Sequence, residues 1–360
     1  MPTTAHYAGG DPAAMTAPTP SPTNFLGRPL AAAFLTLALI ALPALGQPGA
    51  TDPELATLHD ELRVIAAASG GKLGVAIRHI ESGREVFFQA DNRYPMGSTF
   101  KLPLAIELLR RVDAGTLSLD KSIVVQANDL RPGSGKIARA FGEPRGKTVR
   151  ELLEAMMIHS DNTATDILWR EVGGAKPIME RLQTLGVDGI SVSRPTGPLL
   201  AASHGLGPLP SSVSLTPARH EEIAATLSKS ERAANRRAFL KSDLDTATPA
   251  AFVDLLQRFW LGQTLSEKST ALLIALMLRC ETGKGRIRAG VPRGTKVAHK
   301  TGTLQPFATN DVGIVYLPGR SGHLIVAVFL RESTKTDAEE ERVIAAVAKA
   351  AYAVFAANAR

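Results

Sequence analysis

Strand-forming sequence is concentrated at the two ends of this 360-residue chain, and that placement narrows the folds open to it. On the N-terminal side, the runs Leu73–Ile80 and Arg84–Ala90 are joined by the turn Glu81-Ser82-Gly83 and read as a hairpin. The signal returns only near the C-terminus, at Lys296–Lys300, Asp311–Leu317 and His323–Leu330, the last a full apolar run. Between the two groups the chain reads as helical. Leu102–Val112 is amphipathic, and Thr148-Val149-Arg150-Glu151 is a capping box that opens a helix to Ile158. Thr163–Val172 is a helix closed by Gly173-Gly174, while Thr216-Pro217 and Thr248-Pro249 are cap-plus-proline starts for two more. Helices over Asp52–Ala68 and Asp337–Ala356 flank the whole. The expectation is an α+β fold. An antiparallel sheet flanked by helices is built from residues 50–95 and 286–360, and an all-helical domain is inserted over 96–285. Pro103, placed just past the first turn if Ser98 caps its helix, is expected to delete one backbone bond and kink it.

Charge and composition exclude some functions. The chain carries a formal charge of +7 and a pI of about 9.6. Its basic residues are scattered and only 5% of residues are aromatic, so no nucleic-acid partner is expected. An anionic small substrate or an anionic cell envelope accounts for the sign. Leu30–Leu45 has no charged residue, follows Arg28, is interrupted by Pro43 and ends in small residues. It reads as a signal peptide cleaved near Gly46, behind an extension expected to be disordered, rather than as a membrane anchor. The mature protein is therefore expected to be secreted or periplasmic, monomeric and without stable membrane association. Cys280 is the single cysteine, so no intrachain disulfide can form, and its apolar neighbours read as a helix end with a buried, inert thiol.

Three short motifs carry chemistry. Ser98-Thr99-Phe100-Lys101 puts a hydroxyl and an amine three residues apart at a helix start, on one face, where a lysine that is neutral part of the time can take or relay the serine proton. Ser160-Asp161-Asn162 falls in a loop between helices and offers a second hydroxyl and a carboxamide. Lys300-Thr301-Gly302 ends a strand and precedes Thr303. It suits a substrate carboxylate, with Gly302 expected to permit close substrate approach. Other patterns fail: Gly142–Thr148 is one residue short of a phosphate loop and lacks a preceding strand, and neither G-x-S-x-G nor H-E-x-x-H occurs. His159 reads as a packed helix-end residue.

With these motifs in this order the chain resembles the class A serine β-lactamases of the β-lactamase and penicillin-binding protein superfamily, from about Leu55 to Phe355. The resemblance implies that Ser98 is the acylated nucleophile, with Lys101 its proton partner and Ser160 a shuttle to the leaving nitrogen. Asn162 would bind the substrate amide, Lys300 and Thr301 its carboxylate, and the N–H groups of Ser98 and Thr303 would form the oxyanion hole. It implies no metal or organic cofactor and a small-molecule β-lactam substrate. The family's E-x-x-L-N motif, ahead of the stretch Asp245–Pro249, does not stand here. Glu231-Arg232-Ala233-Ala234-Asn235 is the nearest candidate, with Glu231 as the base that activates deacylating water, Asn235 fixing the water and Lys229 paired with Asp245 where the family has an arginine. Shifted alignments favour Glu221 or Glu222. Arg194–Ser214, rich in Pro, Gly, Ser and Leu, reads as an inserted surface excursion. Thr309, Arg288 and Arg331 are candidates to complete carboxylate binding. Rival readings are a D-alanyl-D-alanine peptidase, which needs no such glutamate, and a penicillin sensor that stays acylated.

Overall fold

A computed structural model of the protein describes residues 52–209 and 213–357. The expected signal peptide and its extension lie outside the described residues. The sheet is built from both chain ends, as the strand placement requires. Strands β1 (Lys72–His79) and β2 (Glu85–Phe88) come from the N-terminal side. Two short ladders follow within the helical stretch, β3 (Tyr94–Pro95) with β6 (Thr246–Ala247) and β4 (Ser122–Val125) with β5 (Arg145–Thr148). At two to four residues they are too short for an alternating pattern to reveal them. Strands β7 (Val297–Leu304), β8 (Ala308–Tyr316) and β9 (His323–Arg331) complete a five-stranded antiparallel sheet in the order β2-β1-β9-β8-β7.

β9 shows why the sheet sits between two layers. Leu324, Val326, Val328 and Leu330 pack with α1 (Pro53–Ala68) and α12 (Asp337–Ala356), whereas Ile325, Ala327 and Phe329 belong to the core shared with the central helices. A strand buried on both faces reads as a continuous apolar run, which is what His323–Leu330 is. Full burial of each such side chain contributes roughly 1.5–3 kcal/mol. On the inner side lie α2 (Lys101–Asp113), α3 (Val149–Ile158) and α4 (Asn162–Glu171). The capping box at the start of α3 forms as its sequence requires: Glu151 N–H donates to Thr148 Oγ1 at 3.2 Å and Thr148 N–H to Glu151 Oε2 at 2.7 Å. Then come α5 (Ala175–Thr184), α6 (Thr196–Ser203), α7 (Pro217–Thr226), α8 (Lys229–Leu240), α9 (Pro249–Trp260), α10 (Glu267–Leu278) and the short α11 (Ile287–Gly290). The ring of Phe252 on α9 lies 5.4 Å from that of Phe329, joining helices to sheet.

Two expectations change. A 3₁₀ turn over Gly97–Phe100 runs directly into α2, which starts at Lys101, so Ser98 lies within the 3₁₀ turn rather than capping the helix and Pro103 is the third residue of α2. The Arg194–Ser214 stretch is not a surface excursion. Its first half forms α6, in which Thr196, Leu199, Ala201, Ala202 and Ser203 are buried. The exposed part comes later: α7 buries no side chain and α8 only Phe239.

Candidate active site

Ser98 is held by its neighbours' backbone. Asn310 on β8 donates from Nδ2 to the carbonyls of Pro95 (2.8 Å) and Met96 (3.0 Å), fixing the chain just before the 3₁₀ turn. Gly97 adopts a left-handed φ of +52°, and a Cβ there would lie 2.7 Å from the Thr303 amide nitrogen. Only glycine meets both conditions. The close approach brings the Ser98 turn against β7, the edge strand of the sheet, and places the Ser98 and Thr303 backbones together. Gly302 serves the same contact: a Cβ there would run into the Met96 carbonyl and the Thr99 amide. Its bareness is what admits the turn.

The three motifs converge. Lys101 Nζ donates to the Ser160 carbonyl (2.7 Å), Ser160 Oγ (3.2 Å) and Asn162 Oδ1 (2.9 Å). Lys300 Nζ donates to the same Ser160 Oγ at 3.0 Å and to the Thr301 carbonyl. Both lysines are 0% exposed. Burial, with the charge of Lys300 next to it, holds Lys101 well below its ordinary value, and burial lowers Lys300 to about 8. Ser160 itself has a left-handed φ of +55°, which places its hydroxyl between the two amines. Asp161 holds the loop by accepting the amides of Lys136, Ile137 and Ala164. Asn162 is largely committed, its Oδ1 to Lys101 and its Nδ2 to the Pro132 carbonyl (2.8 Å). His159 packs at its helix end against Glu281 (3.0 Å), as expected.

Next to Lys300, Thr301 Oγ1 meets Thr282 Oγ1 at 2.6 Å, and Arg286, a cation the sequence reading missed, lines the same cavity while pairing with Glu341 at 3.1 Å. Arg286 donates to the carbonyls of Gly302 (3.1 Å) and Asn310 (2.8 Å) and to Thr303 Oγ1 (2.8 Å). The three earlier candidates are engaged elsewhere: Thr309 with Glu340, Arg288 with the Cys280 carbonyl, and Arg331 over the Tyr94 ring. Behind Lys300, His299 pairs with Asp311 at 2.9 Å in full burial. Burial opposes its charge, but Asp311 outweighs it and raises His299 to about 9. Cys280 is buried as expected. Burial pushes its thiol up, yet the neighbouring His299 and the charge of Lys300 bring it down to about 6.

The glutamate side of the expected site does not assemble. Glu231 is exposed and spends its carboxylate on the Ser228 capping box, accepting Ser228 N–H at 2.8 Å, which also holds its proton affinity below the usual range. Asn235 donates to the Gly205 carbonyl (3.0 Å), and Glu221 and Glu222 are exposed on α7. The partner of Asp245 is Arg194, not Lys229; Asp245 also accepts the amides of Ser193 and Arg194. An arginine in this pairing stands two residues before the family's glutamate. Here that position is Thr196, and Thr196-Gly197-Pro198-Leu199-Leu200 keeps only the leucine of E-x-x-L-N. Ser98, Ser160, Asn162, Thr196, Leu200 and His204 line one cavity of about 210 Å³ with Arg286, Thr301 and Thr303, and among its described lining residues there is no carboxylate.

Comparison with known proteins agrees with this architecture. The model of the beta-lactamase enzyme family matches residues 57–355. The extended-spectrum beta-lactamase PER-1 of Pseudomonas aeruginosa is 29% identical over 310 residues, 84% of this chain and 88% of its own length. Beta-lactamase L2 of Stenotrophomonas maltophilia is 28% identical over 323 residues, 89% of this chain and 93% of its own. A solved beta lactamase from Xanthomonas campestris superposes with a TM-score of 0.68 at 29% identity, covering 84% of this chain and 98% of that one. An ancestral class A beta-lactamase gives 0.67 at 32%, covering 81% and 98%.

Proposed function

The chain belongs to the beta-lactamase enzyme family, and from that premise we propose that it hydrolyses the β-lactam amide through an acyl-enzyme on Ser98. The observation that carries the reading is the convergence of Lys101 and Lys300 on one hydroxyl, Ser160 Oγ, in the cavity that Ser98 lines. Ser98 Oγ attacks the lactam carbonyl carbon, the C–N bond breaks, and the serine proton ends on the ring nitrogen. Lys101, whose proton affinity burial and Lys300 lower, accepts that proton; Ser160, which accepts a hydrogen bond from Lys101, relays it. The N–H groups of Ser98 and Thr303 stabilise the oxyanion, since Gly97 and Gly302 let their two backbones approach. Lys300, Thr301 and Arg286 hold the substrate carboxylate; Asn162 positions Lys101 and meets the substrate amide from the opposite wall.

The apolar run Leu30–Leu45 supports export and a periplasmic or secreted mature enzyme. Among the described residues no helix is long and apolar enough to cross a membrane. The reading is tested by exposing Ser98→Ala to a penicillin and weighing the intact protein. Loss of the covalent adduct with an unchanged thermal transition is expected; an adduct on another serine overturns the assignment.

A further inference from the structure

Hydrolysis of the Ser98 ester needs a base for the attacking water, and the described lining of the cavity offers no carboxylate. We propose that His204, aligned by His220, is that general base. The proposal rests on the reading of Ser98 as the nucleophile.

Backbone geometry places His204. It ends α6, whose first amides are held from outside: Asp166 on α4 accepts the N–H of Thr196 (2.6 Å) and of Gly197 (3.1 Å) while pairing with Arg131. Just after the helix, Gly205 has a φ of +77° and packs so closely on the main chain of Arg232 that a Cβ would collide with it. Asn235 ties down its carbonyl. Pinned at both ends, α6 turns His204 into the cavity that Ser98 lines.

The hydrogen bonding suits a base. His204 Nδ1 lies 2.7 Å from His220 Nε2 on α7. With Nδ1–H donating to His220, the lone pair of His204 stays on Nε2, which meets no hydrogen-bond partner among the described residues. An imidazolium formed there keeps the His220 bond. Thr196 Oγ1, on a residue only 3% exposed that lines the same cavity, has no partner among the described residues.

The protonation state fits as well. Burial, with His220 and Arg236 adding positive charge, lowers His204 to about 4, so it is neutral at pH 7. On α7, burial also lowers His220, against the pull of Glu221 and with the push of Arg232, while Arg219 and Glu222 pair with each other. On α8, Arg232 and Arg236 face this side and Glu231 stays at the exposed start. α6 carries no other titratable side chain, and Arg286 lines the cavity. In the step itself, the water oxygen bonds to the acyl carbon as its proton passes to His204 Nε2. The C–Oγ bond then breaks, the proton returns to Ser98 Oγ, and the free acid leaves as a carboxylate with one proton released to solvent.

The test is rapid mixing of wild type and His204→Ala with a chromogenic cephalosporin, with intact mass followed over time. Expected is a burst of equal amplitude and rate in both, then steady turnover about a hundred- to ten-thousand-fold slower in His204→Ala with the adduct accumulating. Added imidazole should restore part of that rate. Turnover of His204→Ala within about twofold of wild type overturns the inference and leaves Ser98 acylation standing. So does a wild type that bursts and never turns over, which would mark a sensor. Absence of any covalent adduct on Ser98 in both proteins overturns the reading of Ser98 itself. The burst also reports folding; should His204→Ala not fold, His204→Gln, which can still hydrogen-bond His220, takes its place with the same outcomes.

Discussion

The two halves of the cavity are built differently. On one side Ser98, Lys101, Ser160 and Lys300 come from three motifs of three or four residues, each contiguous in sequence and lying on a 3₁₀ turn, a helix–helix loop or an edge strand. On the other side Thr196, Leu200 and His204 sit on α6, which is placed by partners far away in sequence, Asp166 below and Asp245 through Arg194. The half proposed to acylate is written in contiguous motifs, which Asn310 and Thr303 then pack in place, whereas the half proposed to hydrolyse has no contiguous motif. An alignment by spacing therefore finds the first and misplaces the second.

This contrast makes the Arg194–Asp245 pair the point at which the second half can be broken. Asp245 is only 2% exposed and is held by Arg194 and two backbone amides. Leaving a buried charge without its partner costs up to about 3–5 kcal/mol. Arg194 is partly open to solvent, which reduces that figure. Arg194→Ala should lower the unfolding transition by about 2 kcal/mol and slow hydrolysis more than acylation, whereas Lys229→Ala should change neither. Urea unfolding followed by burst kinetics checks both. Equal losses in the two variants would restore Lys229 as the partner.

The next effect sharpens the acylating half. Arg286→Ala should raise KM for a β-lactam carboxylate about ten- to hundred-fold with a smaller change in kcat, as expected for one lost charge-assisted hydrogen bond. Lys300 predicts a matching pH dependence. Its value of about 8 means the ammonium is present below that pH and lost above it, so KM should rise as pH passes through 8. A KM flat from pH 7 to 9 would show that Arg286 alone binds the carboxylate.

The legible parts share a physical character. The alternation along β8, the apolar run of β9, the Thr148–Glu151 capping box and the three motifs are contiguous, so short-range chemistry reveals them. Arg194–Ser214 reads as a surface excursion because Pro, Gly, Ser and Leu dominate it. Yet Leu199, Ala201 and Ala202 are buried, and the arginine that identifies the segment pairs with an aspartate 51 residues away. Glu231 misled for a related reason: S-x-x-E at Ser228 is a helix start, and its carboxylate is used there. Arg286, between two glycine-rich turns and a four-residue helix, carried no pattern at all.

The smallest expected effect gives the most direct test of the division between the two halves. Glu231→Ala and wild type should be acylated by a short penicillin pulse, freed of excess drug and followed by mass as the adduct on Ser98 decays. The account predicts decay in Glu231→Ala at the wild-type rate within about twofold, as for an exposed surface residue. A persistent Ser98 adduct in Glu231→Ala, with normal release in His204→Ala, would contradict it and return the hydrolytic base to α8.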